Sequence, residues 1–184
     1  TYKLIKETQM TLNTLLAMLI GYAFGAIQSA YFVSKIFAKT DIREHGTGNA
    51  GASNITTIMG VQYGVIVGAV DILKGVFAVL VTAWIFPNSP GLPFLAGLMA
   101  IVGHIFPFYM NFQGGKGVAT LIGIFFGINW KLGILFILLV VIPALLTDYI
   151  VAGSLTAFVA LPIAAYLLDY PLLLVIFGAG LTIL

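Results

Sequence analysis

Seven apolar runs, separated by little more than short polar punctuation, leave this chain few ways to fold. They lie at about 12–37, 62–86, 94–110, 117–129, 132–147, 149–168 and 171–184. A bilayer core about 30 Å thick takes roughly 20 residues of α-helix, with about 17–25 tolerated. Lipid offers a peptide group no hydrogen-bond partner, so a spanning run must satisfy its own backbone, as a helix does. A barrel would need alternating segments of about ten residues, and that alternation is missing. The 184 residues are 61% hydrophobic and only 8% charged, with mean hydropathy +1.12, against about 25% charged in soluble domains. The sequence therefore predicts an all-α integral membrane protein, a polytopic bundle of about seven transmembrane helices. The fourth and seventh runs are short, and the fourth reads as tilted or re-entrant. A single membrane-embedded domain over 1–184 is expected, with the last run cut short inside its helix at Leu184.

The first run has no small-residue cleavage site, so it reads as a retained span and not a signal peptide. The preceding TYKLIKETQM reads as a short polar or interfacial lead. The absence of cysteine removes a disulfide framework, a thiol nucleophile and a cysteine metal site. A net charge of +2 is too small to argue for nucleic acid. Orientation rests on basic residues in the connections. With the long linker 38–60 placed in the cytoplasm, Lys35, Lys39, Arg43 and Lys116 share its side, and Lys131, Lys3 and Lys6 take the other. The linker, the 111–117 turn and the 147–154 segment then converge on one membrane face.

These three segments carry the chemistry. GTGNAGASN at 46–54 packs three glycines, two hydroxyls and two asparagines into nine positions. Glycine allows positive φ and close backbone approach, and successive N–H groups in such a bend form an anion-binding nest; the plain alternative is a flexible loop with Asn49 and Asn54 as turn residues. NFQGGKGVAT at 111–120 sets Gly114, Gly115 and Gly117 around Lys116. It lacks the spacing of a nucleotide-hydrolysing phosphate loop. What remains is an anion site at a helix N-terminus with a point charge beside it, or a hairpin with a snorkelling lysine. Asp71 and Lys74, three apart in VGAVDILKGVF, suit an internal ion pair, although Lys74 could also face a phosphate. His104 in IVGHIFPFYM stands close to the glycine turn, as an anion donor, an acid–base group or a buried structural histidine. Ser154 begins a span at the same face. Arg43 suits bidentate phosphate binding or a pair with Asp41. No metal cluster, Ser-His-Asp set or HxxxxD acyltransferase signature is present.

DIREHGTGNAGASN, VDILKG, GHIFPFYMNFQGGKGVAT and DYIVAGSL occur in one order. Together they resemble the bacterial acyl-phosphate:glycerol-3-phosphate acyltransferase family (PlsY-type), over the chain from about Gly21 to the end. The resemblance implies a seven-span enzyme of the bacterial inner membrane with a cytoplasmic active site. Its partners would be acyl phosphate, glycerol 3-phosphate and the bilayer, with no metal or other cofactor. It would transfer a fatty acyl group to the 1-hydroxyl, giving lysophosphatidic acid and phosphate. By motif match, Thr47 takes the place of a family serine and Asn49 matches an asparagine, in a bend with Gly46 and Gly48. Gly114, Gly115, Lys116 and Gly117 match the phosphate turn, and His104 and Ser154 match polar site positions. Arg43 and Lys74 join the expected phosphate ligands.

The chain also departs from the family pattern. Thr57 stands where the family has arginine, and Asp148-Tyr149 replaces Arg-Tyr, with Val151 in place of a serine. The family's last motif would follow Leu184. A divergent paralogue, with another substrate or a non-enzymatic lipid- or phosphate-binding role, is the alternative. A transporter is disfavoured because the polar residues gather toward one face.

Overall fold

The computed structural model describes residues 2–167, which are helical apart from turns and loops, with no strand among them. The expected seventh run, 171–184, lies outside them. The chain forms two compact units, Thr1–Ile128 and Asn129–Leu184. In the first, α1 (Tyr2–Gly25) is followed by α2 (Ser29–Val33), α3 (Ala52–Met59), α4 (Val61–Ile85), α5 (Gly91–Ile105) and α6 (Val118–Ile128); the second holds α7 (Trp130–Thr147) and α8 (Ile150–Leu167). Among the described residues, four segments are long and apolar enough to cross a membrane: Leu4–Ala38, Val61–Ile85, Gly91–Met110 and Trp130–Thr147. The 11-residue α6 is shorter, as expected for the fourth run.

Water does not sort these helices, so the face each one buries is marked by size and polarity. On α4 the buried stripe is Gly64, Val67, Asp71, Lys74, Gly75, Ala78, Val79 and Thr82. The outward residues include Ile66, Leu73, Phe77, Leu80 and Trp84. Small residues let backbones approach, which drives helix packing where lipid is as apolar as leucine. On α1, Gly21 and Gly25 sit against the backbone of Ala96 and Ala100 on α5, leaving no room for a β-carbon at either glycine. Gly75 of α4 lies against Thr120, and Gly123 of α6 against Ile72. In the second unit Gly153 abuts the Val140 carbonyl, and Phe136 and Phe158 pack with ring centroids 6.3 Å apart.

Three boundaries differ from the sequence reading. The helix begins by Tyr2, so the polar lead is part of α1. The first run is broken at residues 26–28. The long linker contains α3, joined to α4 through Gly60 alone at φ 103°. The break in the first run would be expensive in lipid if its carbonyls were bare. They are not: the Tyr109 hydroxyl donates to Ala26 O at 2.6 Å, and Lys74 Nζ donates to Ile27 O at 2.7 Å. Gln28, itself fully buried, donates from Nε2 to His104 O at 2.9 Å.

Candidate active site

The glycine-rich segment 41–54 takes its shape from Asn54. This side chain, 1% exposed at the start of α3, shares its two Nδ2 protons among the carbonyls of Ile42, His45 and Asn49 at 3.1, 3.0 and 3.0 Å. Its Oδ1 accepts the Thr47 backbone N–H at 3.0 Å. One amide thus gathers both limbs of the bend. Gly46 and Gly48 have φ of 59° and 72°, a region other residues enter at a penalty, and a β-carbon on Gly46 would strike Asn54 Oδ1. The N–H groups of Thr47 and Gly48 are used internally. Those of Gly46, Asn49 and Ala50 make no hydrogen bond among the described residues, and Asn49 Oδ1 is a buried acceptor without a partner.

The second glycine segment is locked to the first. Gly114 and Gly115 donate to Ile105 O and His104 O at 2.9 and 3.1 Å, folding the 106–113 reversal back onto the end of α5. A β-carbon on Gly114 would strike His104 O; on Gly115 it would strike His104 Nε2 and stand 3.0 Å from Ala50 O. Arg43 Nη1 donates to Met110 O at 2.8 Å. Met110, Ile42 and Ala50 share one apolar cluster with Ala30, Ile55 and Val67. Gly117, at φ 81°, turns the chain into α6. Lys116 is exposed there and has no ionic or hydrogen-bond partner among the described residues.

Beneath this junction lies a buried polar chain. Ser29 Oγ donates to Asp71 Oδ1 at 2.8 Å, and the same oxygen takes Lys74 Nζ at 2.9 Å. Lys74 Nζ reaches His104 Nδ1 at 2.6 Å. Lys74 and His104 are 2% and 3% exposed. Nearer the surface, Arg43 donates from Nε and Nη2 to the two oxygens of Asp41 at 3.1 and 2.8 Å. These bonds hold the Asp41 carboxyl below its ordinary range, and the carboxylate in turn raises Arg43.

The family model described as Glycerol-3-phosphate acyltransferase matches residues 15–184. The chain belongs to the glycerol-3-phosphate acyltransferase family. It is 42% identical over 148 residues to Glycerol-3-phosphate acyltransferase 2 of Bacillus anthracis, covering 80% of this chain and 76% of that one. It is similar to the crystal structure of PlsY (YgiH), an integral membrane glycerol 3-phosphate acyltransferase, in its glycerol 3-phosphate form. That match has a TM-score of 0.83 and 30% identity, covering 92% of this chain and 86% of the other. The lysophosphatidic acid form matches with a TM-score of 0.82 and 28% identity, covering 92% and 84%.

Within this acyltransferase fold, the first unit gathers Arg43, Gly46, Thr47, Gly48, Asn49, His104, Gly114, Gly115, Lys116 and Gly117 around one junction. Ser154 belongs to α8 of the second unit. Two expected phosphate contacts are altered by the geometry. The amides of Gly114 and Gly115 are already bonded, so that turn offers the N–H groups of Lys116 and Gly117 instead. Lys74 Nζ is ringed by Asp71 Oδ1, Ile27 O and His104 Nδ1 at 2.9, 2.7 and 2.6 Å, which leaves no place for a phosphate. Arg43 keeps two of its five N–H groups outside its bonds to Asp41 and Met110. His45, exposed in the long linker, bonds through Nε2 to Thr40 Oγ1 at 2.7 Å. Sequence reasoning missed Asn54 as the organiser of the bend. Its signal was a polar amide just inside a helix, where asparagine is a poor helix former.

Proposed function

We propose that this protein is a membrane acyltransferase that moves a fatty acyl group from acyl phosphate to the 1-hydroxyl of glycerol 3-phosphate. One observation carries the reading: Gly115 and Ala50 bring the two glycine segments into contact, with an unpaired lysine at the seam. Both substrates are phosphate oxyanions, and such anions suit unbonded amides and a cation at a helix N-terminus. Lys116 and the first turn of α6 supply these on one side, and the N–H groups of Gly46, Asn49 and Ala50 on the other. Asn49 Oδ1, a buried acceptor without a partner, suits a hydrogen bond from a glycerol hydroxyl. Arg43 and Thr47 complete the proposed polar set of the first unit, and Lys74 acts behind it through His104.

The hydroxyl oxygen attacks the acyl carbonyl carbon, and the bond from that carbon to the phosphate oxygen breaks. The departing phosphate carries away the hydroxyl proton, so the substrate supplies its own base. Lys116 and the nearby amides stabilise charge that grows in the transition state, the interaction that accelerates a chemical step. The membrane is the bacterial cell membrane, with this end of the first unit facing the cytoplasm beside Lys35, Lys39 and Arg43. Exposed Ile36, Phe37, Phe108 and Phe112 near the same segments suit an acyl tail arriving from lipid.

A second reading keeps the fold but changes the task. Thr57, in place of the family arginine, is exposed on α3, and its hydroxyl donates to Ser53 O at 3.1 Å. A paralogue with another phosphate substrate, or a binding role alone, would fit that loss of charge. Purified protein supplied with acyl phosphate and glycerol 3-phosphate separates the two. Stoichiometric lysophosphatidic acid and phosphate support the enzyme; tight phosphate-ligand binding with no product supports the paralogue.

A further inference from the structure

The buried chain Ser29–Asp71–Lys74–His104 ends at the junction of the two glycine segments, and its direction is fixed by counting protons. Around Lys74 Nζ stand an aspartate oxygen, a backbone carbonyl and an imidazole nitrogen. The first two only accept hydrogen bonds, and an ammonium has three protons to give. A charged Lys74 beside an ionised Asp71 satisfies all three partners and leaves no buried charge unpaired. The third proton then goes to His104 Nδ1. A neutral imidazole that accepts at Nδ1 carries its own proton at Nε2. That nitrogen lies against Gly115, where the Ala50 carbonyl also reaches, and it bonds no other group among the described residues.

We propose that Asp71 and Lys74 are positioning residues that hold His104 as the Nε2–H tautomer, so that it donates a hydrogen bond into the junction and does not act as a base there. The catalytic part of this assignment rests on the acyltransferase reading; the tautomer does not. His104 is then one more fixed donor for a substrate oxygen, of the kind worth about 10²–10³ in turnover when removed. It also explains why Gly115 carries no side chain: any β-carbon there would cover the donor.

The tautomer is read directly by NMR of protein labelled in both ring nitrogens of histidine. The chain has two histidines, so His45→Gln leaves a single imidazole. We expect a bare Nδ1 and a protonated Nε2, and the replacement of both partners, Asp71→Leu with Lys74→Met, should release that preference. Activity supplies the second arm. His104→Ala should lower kcat by about 10²-fold, whereas His104→Gln, with an acceptor for Lys74 and a donor for the junction, should stay within roughly tenfold of wild type. A proton on Nδ1, or equal losses in the Gln and Ala variants, would overturn the proposal. Should the double variant not fold, the wild-type tautomer and the two His104 variants still decide. A wild-type protein with the expected tautomer but no acyl transfer would instead sink the acyltransferase reading and leave the histidine assignment standing.

Discussion

Gly115 lies so close beneath the His104 imidazole that a single added methyl would strike Nε2 and press on the Ala50 carbonyl. Its neighbour Gly114 meets backbone instead, the carbonyl of His104. These glycines are therefore required for what they lack, whereas Gly46, Gly48 and Gly117 are required for positive φ.

The two substitutions should accordingly fail in different ways. Gly115→Ala should fold and lose about 10²-fold in kcat/KM, because it displaces a donor. Gly114→Ala should destabilise the protein by about 1–3 kcal/mol, seen as a lower yield and melting temperature, because overpacking against backbone has no cheap relief. Steady-state kinetics and thermal melts in detergent would show whether the effects separate.

Asn54 should behave as a structural keystone. Asn54→Ala leaves the Asn49 carbonyl and the Thr47 N–H without partners, takes one of two partners from the Ile42 and His45 carbonyls, and should destabilise the first unit by about 2–4 kcal/mol. Asn54→Asp should fare no better, since a carboxylate cannot donate to the carbonyls of Ile42, His45 and Asn49. Protease resistance of the 41–51 segment would report either change; an unaltered cleavage pattern would count against the role.

The Asp41–Arg43 pair gives a pH signature. The Asp41 carboxyl is lowered in the folded protein, chiefly by its hydrogen bond from Arg43. A group shifted this way adds stability above its unfolded value, about 3.9, and loses it as pH falls through the lower folded value. Wild type should therefore melt above Asp41→Asn at neutral pH, and the gap should close below about pH 4. A gap that stayed constant would assign the pair no such part.

Restoring a guanidinium tests the departure at Thr57. The residue is exposed and its hydroxyl only caps back onto its own helix, so arginine fits without repacking. Thr57→Arg should lower the KM for glycerol 3-phosphate by about tenfold, the scale of one charge-assisted hydrogen bond. An unchanged KM would mean that another group already supplies that contact.

Much of this was visible in the residues and some was not, for reasons that lipid explains. The spans at Val61–Ile85 and Trp130–Thr147 were legible because length and hydropathy alone define them. The pairing of Asp71 with Lys74 followed from their spacing on one helical face. The inward faces were hidden, because a helix with leucine outside and glycine inside has no polar-to-apolar contrast to read. Helix α3 was hidden in a polar linker: ASNITTIM is short and carries weak helix formers. The break at 26–28 left no proline to announce it, and its carbonyls are satisfied by Lys74 and Tyr109, distant in sequence. The same distance concealed the other two partners of Lys74, Ile27 O and His104. The Gly114–Lys116 cradle was read from composition, which cannot tell that two of its amides are already bonded.

Turnover of Lys116→Ala with acyl phosphate and glycerol 3-phosphate, set beside Lys116→Arg, tests the shared phosphate site most directly. Lys116 is exposed and has no partner among the described residues, so neither variant should disturb the fold. The alanine variant should lose about 10²–10³-fold in kcat, with arginine recovering part of the loss through its retained charge. Wild-type turnover by folded Lys116→Ala protein would contradict the site.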